Sequence, residues 1–208
     1  QPLCVTPQDL YTIHPRERIG RLLEAWLERN HATAFELLHR ADLVEKLEAS
    51  GIELQHAIQK IAIPEAQARG YHHVLWLDGI EHRWIEEGGL MNVVFVVDGT
   101  LVTPRLGGTI LPGIVRDSVL TLAREMGIGV EERRIAIDEL FALHEAGRVT
   151  EAAAVGTAAS VAPMGRIRWR DREADFTPRG ESLIARVGER LGAIRTGRAP
   201  DAHDWMSP

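Results

Sequence analysis

Three short stretches of this chain carry residues suited to an anion and to a protonated ring nitrogen. Leu111-Pro112-Gly113-Ile114-Val115 sets proline and glycine at the mouth of a helix. Glycine there lets an anion approach the backbone, and the first free amides, of Ile114 and Val115, point at it with the helix dipole behind them. Gly156-Thr157 puts a hydroxyl beside a glycine between two strands, where it can donate to a phosphate oxygen. Glu86-Glu87-Gly88-Gly89 supplies a carboxylate. Held against a pyridine nitrogen, a carboxylate keeps that nitrogen protonated and makes the ring an electron sink. Each stretch also has a plainer meaning. Pro-Gly before a helix is commonly a turn, a threonine in a strand turn commonly satisfies nearby backbone, and Glu-Glu-Gly-Gly is commonly a solvated acidic turn.

The elements that must position these residues change character near Pro64. Before it, Ile19, Leu22, Leu23, Trp26 and Leu27 form an apolar stripe of helical period. Leu37, Leu38, Ala41, Val44 and Leu47 repeat it, and Leu54, Ala57, Ile58 and Ile61 give a third, shorter stripe. Residues 16–61 therefore read as amphipathic helices whose apolar faces need a partner surface, because short isolated helices are marginal in water. After Pro64 the runs shorten and become β-branched, predicting strands over 73–77 and 92–97. Asp98-Gly99 reads as a tight turn into a strand over 101–103. A helix opens at Pro112-Gly113 and closes at Gly127. A strand is predicted over 130–137, then a helix capped by Asp138 and closed at Gly147, then strands over 149–155 and 158–162. Leu183, Ile184, Val187, Leu191 and Ile194 mark one face of a last helix. This mixture predicts an α+β domain over residues 64–208, preceded by a small helical segment over 1–63.

In order, the chain carries Val74–Asp78, Glu87–Asn92, Thr103-Pro104, Leu111–Arg116, Glu131–Arg133, Gly156–Ala158 and Gly197–Trp205. This succession resembles the branched-chain amino-acid aminotransferases of fold type IV, over about two-thirds of the chain. The resemblance implies pyridoxal 5'-phosphate (PLP) as cofactor and an amino group moved between leucine, isoleucine or valine and 2-oxoglutarate. It implies that Glu87 meets the ring nitrogen, that Gly113, Ile114 and Val115 with Thr157 hold the phosphate, and that Ala158 lies against the substrate carboxylate. The family usually has threonine where Val115 stands, and threonine where Leu90 stands.

The resemblance breaks upstream. The family anchors its cofactor covalently through a lysine in Lys-x-Gly-Gly-Asn-Tyr, and counting back from Gly70 that position falls on Gly51. The only lysines are Lys46 and Lys60, so Lys60 is the one candidate near the slot. The family's N-terminal domain is not recognisable in residues 1–63. Two expectations follow: a truncated or degenerate aminotransferase, or a PLP enzyme with Lys60 recruited. A third, of another class, is a non-catalytic interaction protein built on the aminotransferase large domain.

Bulk composition narrows the rest. A net charge of −6 argues against a nucleic-acid surface. No apolar run approaches the ~20 residues of a membrane span. The single cysteine, Cys4, forms no internal disulfide and fits a cytoplasmic protein. No His/Cys/Asp spacing matches a metal site, so no metal is expected. The partners expected are an amino acid, a 2-oxo acid and a second copy of the chain in a homodimer.

Overall fold

A computed structural model describes residues 66–206 except 108, 158 and 159. The helical stripes of 16–61, Lys60, Ala158 and the expected boundary near residue 64 lie outside the described residues. The described residues fall into two compact units, 66–85 with Arg168–Glu173, and 86–167 with 174–206.

In the first unit, β1 (Leu75–Leu77) is buried throughout. Its end is shaped by Asp78, whose carboxylate accepts the amides of Ile80, Glu81, Arg83 and Trp84 at 2.6–3.2 Å. Burial pushes the Asp78 carboxyl up, but those four amides outweigh it and hold it below the usual carboxylate range. The Tyr71 hydroxyl donates to Glu173, and the guanidinium of Arg170 lies 4.8 Å from the Trp169 ring centre. Trp76 and Trp169 are both buried, as core residues should be.

The second unit is organised by its central strands. β2 (Ile85–Gly88) turns through Gly89 into β3 (Met91–Val97), which pairs antiparallel with β4 (Thr100–Pro104) further along the same edge. Asp98 and Gly99 both have positive φ, 48° and 77°, the backbone that a two-residue hairpin requires. α1 (Ile114–Glu125) then crosses over to β5 (Val130–Arg133), which pairs parallel with β4. α2 (Ile137–Glu145) follows, then β6 (Val149–Gly156) on the other edge of β3, and β7 (Ser160–Pro163) beside β6. β8 (Arg166–Trp169) and β9 (Arg172–Asp175) form a small hairpin whose Arg168–Glu173 tip is counted with the first unit, and α3 (Leu183–Arg195) is the last helix of the second. The architecture is α+β.

Residues 92–97 are buried on both faces, which explains an unbroken apolar run instead of alternation. Val94 and Val96 pack with Ala153 and Val155 against Val119 and Leu122 of α1 and Ile184, Val187, Leu191 and Ile194 of α3. Each such side chain contributes roughly 2 kcal/mol by leaving water.

The largest departure from the expected boundaries lies between Arg133 and Ile137. The strand expected over 130–137 stops at Arg133, and Ile137 begins α2. Asp138 is therefore not the cap; it lies in the first turn, and Ala136 is the N-cap. Glu139 reaches back to accept the Ala136 amide at 3.4 Å. Ile135, Ala136 and Ile137 are all buried, so an apolar run that mimics a strand is the buried entry to a helix.

Candidate active site

The site is built where β2, β3, β6 and the first turn of α1 converge. Glu87 and Asn92 face each other in the β2–β3 register, so their side chains share one face. Both are buried, at 7% and 5% exposure, which rules out the solvated acidic turn for Glu87. Glu87 Oε1 accepts the Leu111 amide at 3.0 Å and Asn92 Nδ2 at 3.2 Å. Asn92 Nδ2 also donates to the Leu111 carbonyl at 2.9 Å. Carboxylate, carboxamide and backbone thus close a ring of three partners. No hydrogen bond to Glu87 Oε2 is formed among the described residues. Burial pushes the Glu87 carboxyl up, with repulsion from Glu86 adding to it and the Leu111 amide pulling the other way.

Gly113 fits against this ring because it lacks a side chain. A Cβ there would fall 2.2 Å from Asn92 Oδ1, inside any tolerable contact. Gly113 is the N-cap of α1, and no side chain caps that end. The amides of Ile114 and Val115 open the helix, with the dipole favouring an anion by up to about 1 kcal/mol in an exposed setting. Ile114 and Leu111 are exposed, whereas the Val115 side chain packs partly buried against the core.

Arg116, buried at 4% exposure, ties the first turn down. Its Nη2 donates to the Pro104 carbonyl at 2.9 Å and to Glu132 at 2.8 Å. The Arg116 hydrogen bond, joined by Arg124, holds the Glu132 carboxyl below the usual range despite partial burial. On the other edge of β3, Asn92 pairs with Val155, which brings Gly156 and Thr157 to the same end of the sheet. A Cβ on Gly156 would sit 2.9 Å from Met91 Cγ, so this corner too is closely approached. Thr157 is exposed at the start of the turn into β7.

Glu87, Gly113, Ile114, Val115 and Thr157 are therefore brought to one end of one sheet within the second unit. Asn92 and Arg116 hold this corner together through buried contacts, and residue-by-residue reading gave neither a role. Both stood inside the quoted motifs, as the last residues of Glu87–Asn92 and Leu111–Arg116, and that position was the available signal. Among the described residues no group of three or more His, Cys, Asp and Glu is placed to hold a metal ion. Nor is any helix among them long and apolar enough to cross a membrane.

The sequence profile of the family described as "Amino-transferase class IV" matches residues 53–167. A probable branched-chain-amino-acid aminotransferase of Staphylococcus epidermidis is 41% identical over 151 residues, covering 72% of this chain and 42% of the relative. The branched-chain-amino-acid aminotransferase of Mycobacterium tuberculosis (strain ATCC 25618 / H37Rv) is 45% identical over 159 residues, covering 73% and 43%. Among solved structures, the Escherichia coli branched-chain amino acid aminotransferase superposes with a TM-score of 0.60 at 29% identity, over 71% of this chain and 46% of that one. The branched-chain aminotransferase of Thermoproteus uzoniensis with norvaline gives 0.60 at 29%, over 73% and 46%. The Thermobaculum terrenum enzyme in its PLP form gives 0.60 at 29%, over 71% and 45%. The chain thus spans less than half the length of the relatives it matches. With the matched segment covering more than half of its own residues and the fold shared over the same region, this chain belongs to the class IV aminotransferase family.

Proposed function

We propose that this chain carries the cofactor-holding part of a branched-chain amino-acid aminotransferase and binds PLP at the Glu87–Gly113 corner. The observation that carries this is the pairing of a buried carboxylate, one oxygen of which takes no hydrogen bond from described residues, with an uncapped helix N-terminus, joined to it through the Leu111 amide two residues before the cap. PLP presents a protonatable ring nitrogen at one side and a dianionic phosphate at another, and the two features match those two groups. The close approach of Gly113 to Asn92 leaves backbone, not side chain, at the phosphate position.

In this reading Glu87 holds a proton on the ring nitrogen, the Ile114 and Val115 amides orient the phosphate, and the Thr157 hydroxyl donates to it. Ala158 borders the substrate carboxylate. PLP supplies the electron sink that stabilises charge at the substrate α-carbon. The substrates proposed are leucine, isoleucine or valine with 2-oxoglutarate, and Lys60 is the residue proposed to anchor the cofactor and move the proton.

The test has two stages. PLP binding is measured first, by quenching of tryptophan fluorescence, for wild type and Glu87→Gln. Saturable binding that weakens in the variant supports the site; equal binding by both overturns it. Transamination of leucine with 2-oxoglutarate is then compared for wild type and Lys60→Ala. Turnover abolished in Lys60→Ala supports the assignment of the lysine. PLP binding without turnover in either protein would refute the Lys60 assignment and leave the cofactor site intact.

A further inference from the structure

We propose that Asn92 is a positioning residue that locks the ring-nitrogen carboxylate and the phosphate-binding turn into one unit. The proposal rests on the cofactor site above and deepens it. Asn92 has one amide nitrogen and uses it twice, on Glu87 Oε1 at 3.2 Å and on the Leu111 carbonyl at 2.9 Å. Two acceptors facing the same atom fix which end of the carboxamide is nitrogen. The other end, Oδ1, lies where a side chain on residue 113 would be. Asn92 therefore touches both halves of the site: the carboxylate on β2 and the loop leading to the α1 amides.

The arrangement has a consequence for Glu87. Oε1 is occupied by two donors, from Asn92 and from the Leu111 amide, so the carboxylate plane is pinned and Oε2 is the oxygen left to turn outward. Without Asn92, one donor remains and the carboxylate gains freedom about its last torsion. The loop 111–113 loses its side-chain tether in the same step. A single substitution should thus loosen two contacts to the cofactor at once, although Asn92 contacts the cofactor through neither. Positioning errors near an ångström are enough to matter at a reacting centre.

A double-mutant cycle separates this from a merely structural role. Asn92→Leu keeps the volume and removes the donor; Asn92→Ala removes the donor without adding charge and serves if the leucine variant does not fold. PLP affinity is measured for wild type, Glu87→Gln, the Asn92 variant and the double variant, and the Glu87 carboxyl is titrated by carbon-13 NMR without PLP. The loss from the Asn92 variant is expected at ~10-fold, the scale of one net hydrogen bond. That loss should shrink when Glu87→Gln is already present. The Glu87 titration should move to higher pH, because a donor to the charged form is gone. Equal losses in both backgrounds, or an unmoved Glu87 titration, overturn the proposal. If wild type binds no PLP, the cofactor reading fails, and the Glu87 titration alone still decides whether Asn92 holds the carboxylate.

Discussion

Two buried glutamates brace the starts of two helices in this fold, and they do so to opposite ends. Glu151, on β6 and 5% exposed, accepts the Ser182 hydroxyl, the Leu183 amide at 2.8 Å and the Ile184 amide at 3.1 Å. Ser182 in turn caps the Ala185 amide at 2.9 Å, so the N-terminus of α3 is closed by side chains. Glu87, also buried, accepts from Asn92 and from the residue before the Pro-Gly turn but from no amide of α1, which is left without a side-chain cap. One corner satisfies its own donors. The other leaves donors directed outward and holds a carboxylate whose charge is disfavoured by its surroundings. The met groups at Glu151 make a joint, whereas the corner at Glu87 leaves helix donors for water or the proposed cofactor.

The comparison breaks most visibly at Glu151. Glu151→Ala strands two helix amides and a serine hydroxyl away from water, and should cost about 3 kcal/mol of stability in urea unfolding. PLP affinity of the folded variant should not change. A large loss of affinity would erase the distinction between joint and site.

Gly113→Ala comes next. Its added Cβ demands the space of Asn92 Oδ1, which buried neighbours do not let move freely. About 2 kcal/mol of stability should be lost, a cost typical of forcing atoms into an occupied space, together with most PLP binding. Calorimetry and a PLP titration on the same sample check both parts, and normal PLP binding would show that Gly113 has no place in the site.

Glu87→Gln should separate function from stability. Gln keeps an acceptor for Leu111 and Asn92 but carries no charge. Because the folded Glu87 carboxyl titrates above its ordinary value of 4.5, the folded chain binds that proton more tightly than the unfolded chain does. Stability from this group is present below that value and is lost as pH rises towards the folded value. Glu87→Gln should therefore be at least as stable as wild type at neutral pH, with the gap closing in acid, while binding PLP more weakly. A urea midpoint below wild type at neutral pH would contradict the assigned burial effect.

How far the sequence carried this account differs by region. Punctuation was legible: Pro112-Gly113 and Gly127 bracket α1, and Asp98-Gly99 supplies the two positive φ values of its hairpin. The α2 start was not, because Ile135-Ala136-Ile137 has the composition of a strand and its N-cap has no polar side chain to announce it. The burial of Glu87 was also hidden, since the groups that enclose it, Asn92 and Leu111, come together only across a sheet register and a long loop. Motif order carried what local composition could not, namely that Glu87, Gly113 and Thr157 come to one end of one sheet.

The smallest effect is expected at Thr157→Val. Thr157 is exposed, so stability should stay within about 0.5 kcal/mol. PLP binding should weaken only a few-fold, as one hydroxyl contact among several is removed. An unchanged PLP titration would remove Thr157 from the site and leave the amides of α1 as its phosphate contacts.

In the proposed site the Glu87 carboxylate meets the ring nitrogen of PLP. The most direct measurement is the carbon-13 titration of Glu87 with and without saturating PLP. A cation placed against a buried carboxylate favours its charged form. The Glu87 titration, which burial raises in the free chain, should fall when PLP is bound. PLP bound with the Glu87 titration unmoved would place the cofactor elsewhere and contradict the assignment.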